Sequence, residues 1–540
     1  MSSRQRFFKA GLTVYCGGSK YLRESIELMK KALFIIVLGL FLAAFEACKQ
    51  EAAKPLGPEI SVGIEASPST LDPRLARDAY AVQIMPLVFP GLFKNGKTLE
   101  PEPDLVSSYE QQGDRSYVFH IRQGVRFANG KELVAEDVRA TIESLNVPDL
   151  NSPYIELAER VAKIEIMDKY SLKLELKEPY SPLLVELNLG ILPAELARKK
   201  TQLETNELIG AGPYRITKWV PGTEITLSRN ESYIGPKPYF EKINFRIIPE
   251  DITRLMSLEK GEIQLVQTPI PPDELERLKA NPRLKVIAQP GTNYTYMGFN
   301  LRDPVLAKPL VRQAIAYAIN RDEIVKCLLK KSASKADTLL SPRHWAYEPD
   351  VKKYEYNPEL AKKLLDQAGY PARGTQGPSR FKLSYKTSQN QLRLWIAQAI
   401  ANQLGKVGID VEVRSLEFGT LFSDIQAGNF QIFTLTWVGV VEPDIFYTVF
   451  DSQSIPPKGA NRGYYSNPEI DRLVTDARAA QDRSERKALY SEVQKILATD
   501  LPYVSLWYST DIAVCDQRLE GFELGAGGEW TSLAAARWRR

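Results

Sequence analysis

Histidine is nearly missing from this 540-residue chain: His120 and His344 are its two, and neither has a Cys, an Asp or the other His at ligand spacing. That excludes the usual histidine-centred metal sites and most acid–base dyads. Cysteine is almost as scarce. Cys16 and Cys48 fall early, Cys327 and Cys515 lie far apart, and no pair has metal-ligand spacing. Cys327 and Cys515 either form one disulfide or stand as two buried thiols; the second is preferred, because free cysteine packs as a small hydrophobe. Charge of one sign is lacking too. There are 70 Lys and Arg against 66 Asp and Glu, a formal net charge of +4 with no long run of either sign, which argues against nucleic acid as the main partner. No Gly-x-Ser-x-Gly, no His-Glu-x-x-His and no phosphate-cradling glycine loop occurs. An enzyme, a metal site and a cofactor are therefore not expected.

The rest is the composition of a soluble globular protein, with 44% hydrophobic and 25% charged residues. The length gives room for two to four domains. At the start, Lys30 and Lys31 precede an apolar run from Ala32 to Phe45 that ends at Ala47-Cys48. A basic start, a short apolar core and a small residue before the cut make a secretory signal, and the run is too short for a comfortable membrane span. Met29-Lys30-Lys31 would itself be an ordinary beginning, which reads 1–28 as an over-extended frame. Cys48 directly after Ala47 resembles a bacterial lipoprotein signal, in which the cysteine is lipidated and becomes the new N-terminus. Phe45 and Glu46 depart from that pattern. The leader is thus 1–48, and 49–58 is a flexible tether of small, charged and Pro residues.

The most legible stretch runs from Phe381 to Phe450. Phe381, Leu383 and Tyr385 alternate with polar residues, and Leu392, Trp395, Ile396, Ala399 and Ile400 recur at three and four. Gly405 and Gly408 stop that helix, Ile409, Val411 and Val413 alternate again, a short helix covers Leu421 to Ala427, and Ile432 to Trp437 is a nearly continuous apolar run. Strands joined by helices are normally parallel with right-handed crossovers, so this is a doubly wound α/β unit. Such sheets bind ligands past the carboxyl ends of their strands. That places a site at Trp437, Gly439 and the loop Val440-Val441-Glu442-Pro443-Asp444. The same residues also fit a plainer reading, with Trp437 in the core and ordinary turn residues in the loop.

Elsewhere, Ile60, Val62 and Ile64 alternate as a first strand, and Tyr117, Phe119 and Ile121 do the same, with His120 on the opposite face. A helix runs from Val134 to about Leu145. Leu172, Leu174 and Leu176 give a strand, Gly210 to Asn230 a hairpin around Pro221-Gly222, and Thr253 to Gly261 a helix. Tyr294 to Leu301 reads as a strand and Pro309 to Leu329 as one long helix. Asn357-Pro358-Glu359 and Asn467-Pro468-Glu469 are two helix starts of one kind. A last helix, Arg483 to Ala498, precedes the strand Val504 to Trp507.

Several of these segments, taken in order, resemble the solute-binding proteins of bacterial ABC importers, in the oligopeptide- and dipeptide-binding class. The carrying residues are Leu71-Asp72-Pro73, Gly91-Leu92-Phe93 with Leu99 to Leu105, the stretch Tyr117 to Asp137, Gly212-Pro213-Tyr214, Gly298-Phe299-Asn300, Arg312 to Val325, Ala361 to Gly369 and Asn467 to Tyr490. The resemblance implies a two-lobed, type II periplasmic-binding-protein-like α/β fold of mixed sheets flanked by helices. The first lobe would comprise 59–290 plus 510–540, with an inserted subdomain at about 101–209, and the second 291–509. It implies a monomer that takes a peptide or similar small solute into the interlobe cleft. A membrane permease and ATPase would be its partners, a lipid anchor would hold it to the membrane, and nucleic acid would not be bound. A ligand-sensing surface lipoprotein of the same fold, or a binder of sugars, opines or metal chelates, is the alternative.

In peptide-binding members a Trp-x-x-Asp follows the site strand, and its Asp pairs with the peptide's amino terminus. Here Trp437 matches, but Val440 stands at the Asp position. Since a buried ammonium needs a carboxylate, Glu442 or Asp444 would have to substitute, unless Asp444 caps the following turn. The first-lobe lining would be Ser67, Pro68 and Ser69, with Tyr294 or Tyr296 near the hinge.

Overall fold

Two long antiparallel strands, Leu284–Phe299 and Tyr503–Asp516, hold the fold together. Sequence periodicity shows only the ends of these strands that follow Tyr294 and precede Tyr508. Pro290 and Gly291 break the alternation, so one continuous strand reads as two pieces. Their pairing slips at that point: Pro290 faces Thr510 and Tyr294 faces Tyr508, which leaves three residues of one strand opposite a single Ser509. Proline cannot donate to the ladder, and such bulges bend a strand. Glycine is required at 291, where a Cβ would lie 2.4 Å from the Ser509 carbonyl oxygen. The structure is a computed structural model that describes residues 57–267, 270–372 and 379–539. The expected leader with Cys48, and the tether as far as 56, lie outside the described residues. Pro58–Arg540 forms one compact unit.

These strands are the centre of a mixed sheet that has eleven strands among the described residues. Numbered in chain order within this sheet, they are β1 (Glu59–Ile64), β2 (Tyr214–Val220), β3 (Glu224–Arg229), β4 (Lys242–Ile247), β5 (Leu265–Gln267), β6 (Leu284–Phe299), β7 (Ala333–Lys335), β8 (Phe381–Ser388), β9 (Ile409–Leu416), β10 (Ile432–Trp437) and β11 (Tyr503–Asp516). The order is β9-β8-β10-β6-β11-β5-β1-β4-β3-β2, with β7 paired to β11. On one side of the β6–β11 pair, β1 runs parallel to β4 and β5. On the other, β8 runs parallel to β9 over its full length and to β10 at Tyr385. The doubly wound unit read from 381–437 is therefore present, with β8 at its centre.

Local signals explain the helices between these strands. The Asn390 side chain accepts from the Arg393 amide and starts the helix Gln391–Gly405, and Gly408, at φ +89°, turns the chain into β9. Ile396, Ile400 and Leu404 of that helix pack on Leu383, Tyr385, Ile409 and Ile432. Each such side chain contributes roughly 1.5–3 kcal/mol on burial. The expected helix from Pro309 to Leu329 is two helices, Pro309–Ala318 and Arg321–Cys327. Ile319 leaves helical geometry at ψ 116°, and the Asn320 side chain caps the second helix through the Glu323 amide. The hydrophobic period runs across the break, which is why the sequence reads as continuous. The thiols are a second correction: Cys515 is buried as expected, but Cys327 is exposed, and both are free.

A separate antiparallel sheet, of four strands among the described residues, is built from Val106–Gln112, Ser116–Ile121, Val161–Asp168 and Ser171–Leu176. It has its own core, in which Phe119, Leu172 and Leu174 meet Val138 and Ile142 of the helix Ala135–Ser144. One buried ion pair ties the end of this region to the turn after β1. Arg74 bonds Asp72 at 2.7 Å with both side chains fully buried, and it donates to the carbonyls of Ala197, Lys199 and Thr201. Asp72 also accepts from the Leu203 amide. Removing one partner of such a pair strands the other charge. Asp72→Ala is therefore expected to lower unfolding free energy by about 3–5 kcal/mol, read from urea denaturation; a loss below about 1 kcal/mol would show that water reaches Arg74.

Candidate ligand-binding site

The carboxyl ends of the three parallel strands lie together. β8 ends at Ser388, β9 at Leu416 and β10 at Trp437. The chain just beyond them carries exposed apolar side chains: Trp395 at 46%, Phe418 at 53% and Val438 at 58% exposure. Large apolar groups left open at one edge are what a binding surface needs. Trp437 is half-buried and pairs in register with Tyr294 of β6. Beneath it the Tyr296 ring is parallel to three neighbours: Trp437 at 6.4 Å, Tyr294 at 5.8 Å and Tyr503 at 4.0 Å between centroids. Tyr294 and Tyr296 are thus buried under the site, and the Tyr294 hydroxyl is bonded to Ser505 at 2.7 Å.

The loop after Trp437 is held at every step. Gly439, at φ +63°, donates its amide to Asn293 Oδ1 beside the strand break, and a Cβ on it would lie 3.7 Å from the Gly527 carbonyl oxygen. Val440 is buried among Phe433, Leu435 and Phe446. The Val441 carbonyl accepts from His344 Nε2 at 3.2 Å, while His344 Nδ1 accepts from the Ala346 amide. Burial lowers the His344 pKa to about 4, so the ring is neutral and acts as a structural clamp. Glu442 and Asp444, the two carboxylates the sequence offers as substitutes, each have a guanidinium already. Glu442 pairs with Arg486 at 2.7 Å; burial pushes its carboxyl up, and Arg486 opposes that rise. Asp444 takes three bonds from Arg478, at 2.9, 3.1 and 2.7 Å. It stands at the start of the helix Ile445–Phe450 but makes no capping bond, because its side chain is turned to Arg478. Ser67, Pro68 and Ser69 follow the carboxyl end of β1. Ser69 is bound to Asp78 through both amide and hydroxyl, at 3.0 and 2.7 Å, and Pro68 is buried.

One residue of this site has no signal in the sequence. Arg462 lies in an irregular loop between Asn461 and Gly463, where neither spacing nor periodicity distinguishes it. Its guanidinium carbon is 4.9 Å from the Trp437 ring centroid and 5.3 Å from that of Phe422, and its Nη1 donates to the Tyr296 hydroxyl at 3.3 Å. A cavity of about 660 Å³ lies further along β6 and has Phe89, Phe93, Gln289, Arg343, Gly525 and Glu529 among its lining. Gly525 and Ala526 line it and Gly527 faces Gly439, so this turn stands between the cavity and the Trp437 loop. Among the described residues, no group of three or more His, Cys, Asp or Glu is placed to hold a metal ion.

Residues 100–456 match the profile of bacterial extracellular solute-binding proteins, family 5 (middle region). The chain belongs to this family. Its fold is that of the family's periplasmic binding proteins, and it is the solute-binding component of an ABC importer. It is 28% identical to the oligopeptide-binding protein AppA of Bacillus subtilis, over 91% of this chain and 94% of the relative. The structure of DppA from Helicobacter pylori in complex with the peptide STSA superposes with a TM-score of 0.75 at 28% identity, covering 89% of this chain and 98% of that one. That of NikA from Brucella suis in complex with Fe(III)-EDTA gives 0.81 at 25% identity, covering 89% and 100%. Members of family 5 act on the periplasmic or extracellular side and bind solutes rather than transform them. No helix among the described residues is long and apolar enough to cross a membrane.

The four-stranded sheet and the helices before β11 meet around Tyr180. Its neighbour Ser181 donates its amide to the Arg478 carbonyl at 2.9 Å, Tyr117 donates to Gln481 at 3.0 Å, and the Arg478 guanidinium lies 5.4 Å over the Tyr180 ring. Within this contact the Glu186 carboxyl accepts from the Tyr180 hydroxyl. Burial raises the Glu186 pKa from 4.5 to about 7, with Asp444 adding to the rise and Tyr180 opposing it. The folded protein therefore holds a proton that the unfolded chain releases near pH 4.5. The stability this supplies is complete below that pH and is lost as pH climbs through about 7. We expect wild-type unfolding free energy to fall by up to roughly 3 kcal/mol between pH 5 and 8 from this group. The Glu186→Gln variant should show a correspondingly flatter profile in urea midpoints; identical slopes would exclude Glu186 as the source.

Proposed function

We propose that this chain captures a peptide, or a small solute of similar size, between two lobes and hands it to a membrane permease and ATPase complex. The first lobe is 59–290 plus 510–540, with a subdomain at about 101–209, and the second is 291–509. The observation that carries this reading is the slipped pairing at Pro290–Tyr294 opposite Tyr508–Thr510. With these boundaries the chain passes from lobe to lobe twice, both times at that slip. A joint made of one bulged strand pair lets the lobes rotate while each keeps its own sheet, so ligand binding shifts a population between open and closed forms. Trp437, Gly439, Val440, Glu442 and Asp444 stand on the second-lobe side, and Ser67, Pro68 and Ser69 face them from the first. Tyr294 and Tyr296 form the floor. The protein acts as a monomer and releases its solute unchanged. Lipidation of Cys48, with 49–58 as the tether, keeps it at the membrane surface.

Peptide leads as the ligand class because the relatives AppA and DppA are named or seen with peptides. A non-peptide ligand is the second reading, favoured by Val440 at the position of the family's ammonium-binding aspartate and by the relative seen with Fe(III)-EDTA. Native mass spectrometry of protein purified without refolding tests both. Adducts spaced by amino-acid residue masses support the peptide reading, and a single non-peptide mass replaces it. In Trp437→Ala these adducts should fall at least about tenfold with little change in melting temperature; undiminished adducts would remove Trp437 from the site. Separately, Cys48→Ser should release the protein from the membrane fraction of the cells that make it, and persistent association would remove the lipid anchor.

A further inference from the structure

Arginines buried in this fold follow a rule. Arg74 has Asp72 and three carbonyls, Arg312 bonds the carbonyls of Leu306, Ala307, Asp500 and Leu501, and Arg321 has Asp337 with the carbonyls of Ala336, Tyr354 and Ser505. Arg254 has Asp251 with the carbonyls of Ile248 and Pro249, and Arg486 has Glu442. The rule is physical: a guanidinium keeps its charge at every accessible pH, so burial is tolerable only against acceptors.

Arg462 departs from it. The side chain is 7% exposed, and among the described residues its one hydrogen bond goes to the Tyr296 hydroxyl, its Nε has no hydrogen-bond partner, and no carboxylate lies within ion-pair distance. A further buried donor without a hydrogen-bond partner, Trp437 Nε1, lies beside the same tyrosine. Both can donate. A second guanidinium, Arg393, stands in the first turn of the helix that follows β8, at the same edge of the sheet, and also has no ion-pair partner among the described residues. Burial lowers its pKa, opposed by Tyr385 and then by Glu65, just past β1. Of the acidic groups here, Glu442 is committed to Arg486, Asp444 to Arg478, Asp424 to Lys386 and Glu417 to capping the Thr420 amide, while Glu65 accepts from the Tyr80 hydroxyl at 3.4 Å.

We propose that Arg462, with Arg393 at the same edge of the sheet, is the ligand-anchoring group of the Trp437 site, and that it selects solutes by a carboxylate. The guanidinium fork matches a carboxylate in two parallel hydrogen bonds, with the Trp437 indole N–H as a third donor. The site thus accepts the acid end of its ligand where Trp-x-x-Asp relatives accept the amino end. This rests on the placement of the ligand at Trp437 but not on the ligand being a peptide.

The test is calorimetric titration of the full chain and of Arg462→Gln and Arg393→Gln with three probe sets. These are N-acetylated tetrapeptides with a free carboxyl, C-amidated tetrapeptides with a free amine, and the dicarboxylates succinate and glutarate. We expect binding by a free-carboxyl set and none by the amidated peptides. Arg462→Gln should weaken that binding at least about tenfold, the range of a charge-assisted hydrogen bond, and Arg393→Gln should weaken it several-fold. Binding by the dicarboxylates alone supports the inference while removing peptide as the ligand. Binding by the amidated peptides alone, equal affinities in wild type and Arg462→Gln, or no response to any carboxylate overturns it. If Arg462→Gln does not fold, the Arg393→Gln titration decides.

Discussion

The pairing of β6 with β11 is the contact on which the rest depends. Among the described residues, β5, β1, β4, β3 and β2 follow on one side of that pair and β10, β8 and β9 on the other. The pair runs the length of both strands yet is interrupted in register, where Pro290 gives up a donor and Gly291 allows the Ser509 carbonyl to approach. A sheet is stiff across its ladder and soft where the ladder slips. The same few residues therefore join the two halves of the sheet and are where its ladder is weakest. The Trp437 loop is fixed to this spot through the bond from Gly439 to Asn293.

Charge in the site is organised by what each group already has. The loop 440–444 looks acidic in sequence, yet both its carboxylates are neutralised within the second half of the chain, by Arg478 and Arg486. Val440 adds apolar contact where the related aspartate would add charge. What has no carboxylate partner among the described residues is cationic, Arg462 and Arg393, at the edge that also carries Trp437, Trp395 and Phe418. In a low-dielectric setting such a group costs several kcal/mol to leave alone. An imbalance of this kind belongs at a place where another molecule completes the set.

The parallel unit at 381–437 was readable because its signals are local. Alternation marks the strands, three-and-four spacing marks the helix, and Gly408 and Asn390 set its ends. The hydrophobic run of β10 and the position of Trp437 at its end follow from the same logic. Boundaries failed where two local signals conflict. The apolar period through 309–329 hides the cap at Asn320, and Pro290-Gly291 hides the continuity of β6. Cys327 went wrong because a free thiol's preference for burial is only an average, and its helix presents that face outward.

The amino-acid sequence by itself determined the family, the elements with a clean period, and Trp437 as the end of a strand, since each rests on residues adjacent in the chain. Tertiary structure decided which charges are free. Asp444 and Arg478 are separated by 33 residues and Glu442 and Arg486 by 43. Nothing in local spacing says that they meet, or that Arg462 is passed over. Whether a buried ion has a partner is a matter of distance in space, and the chain order does not contain it.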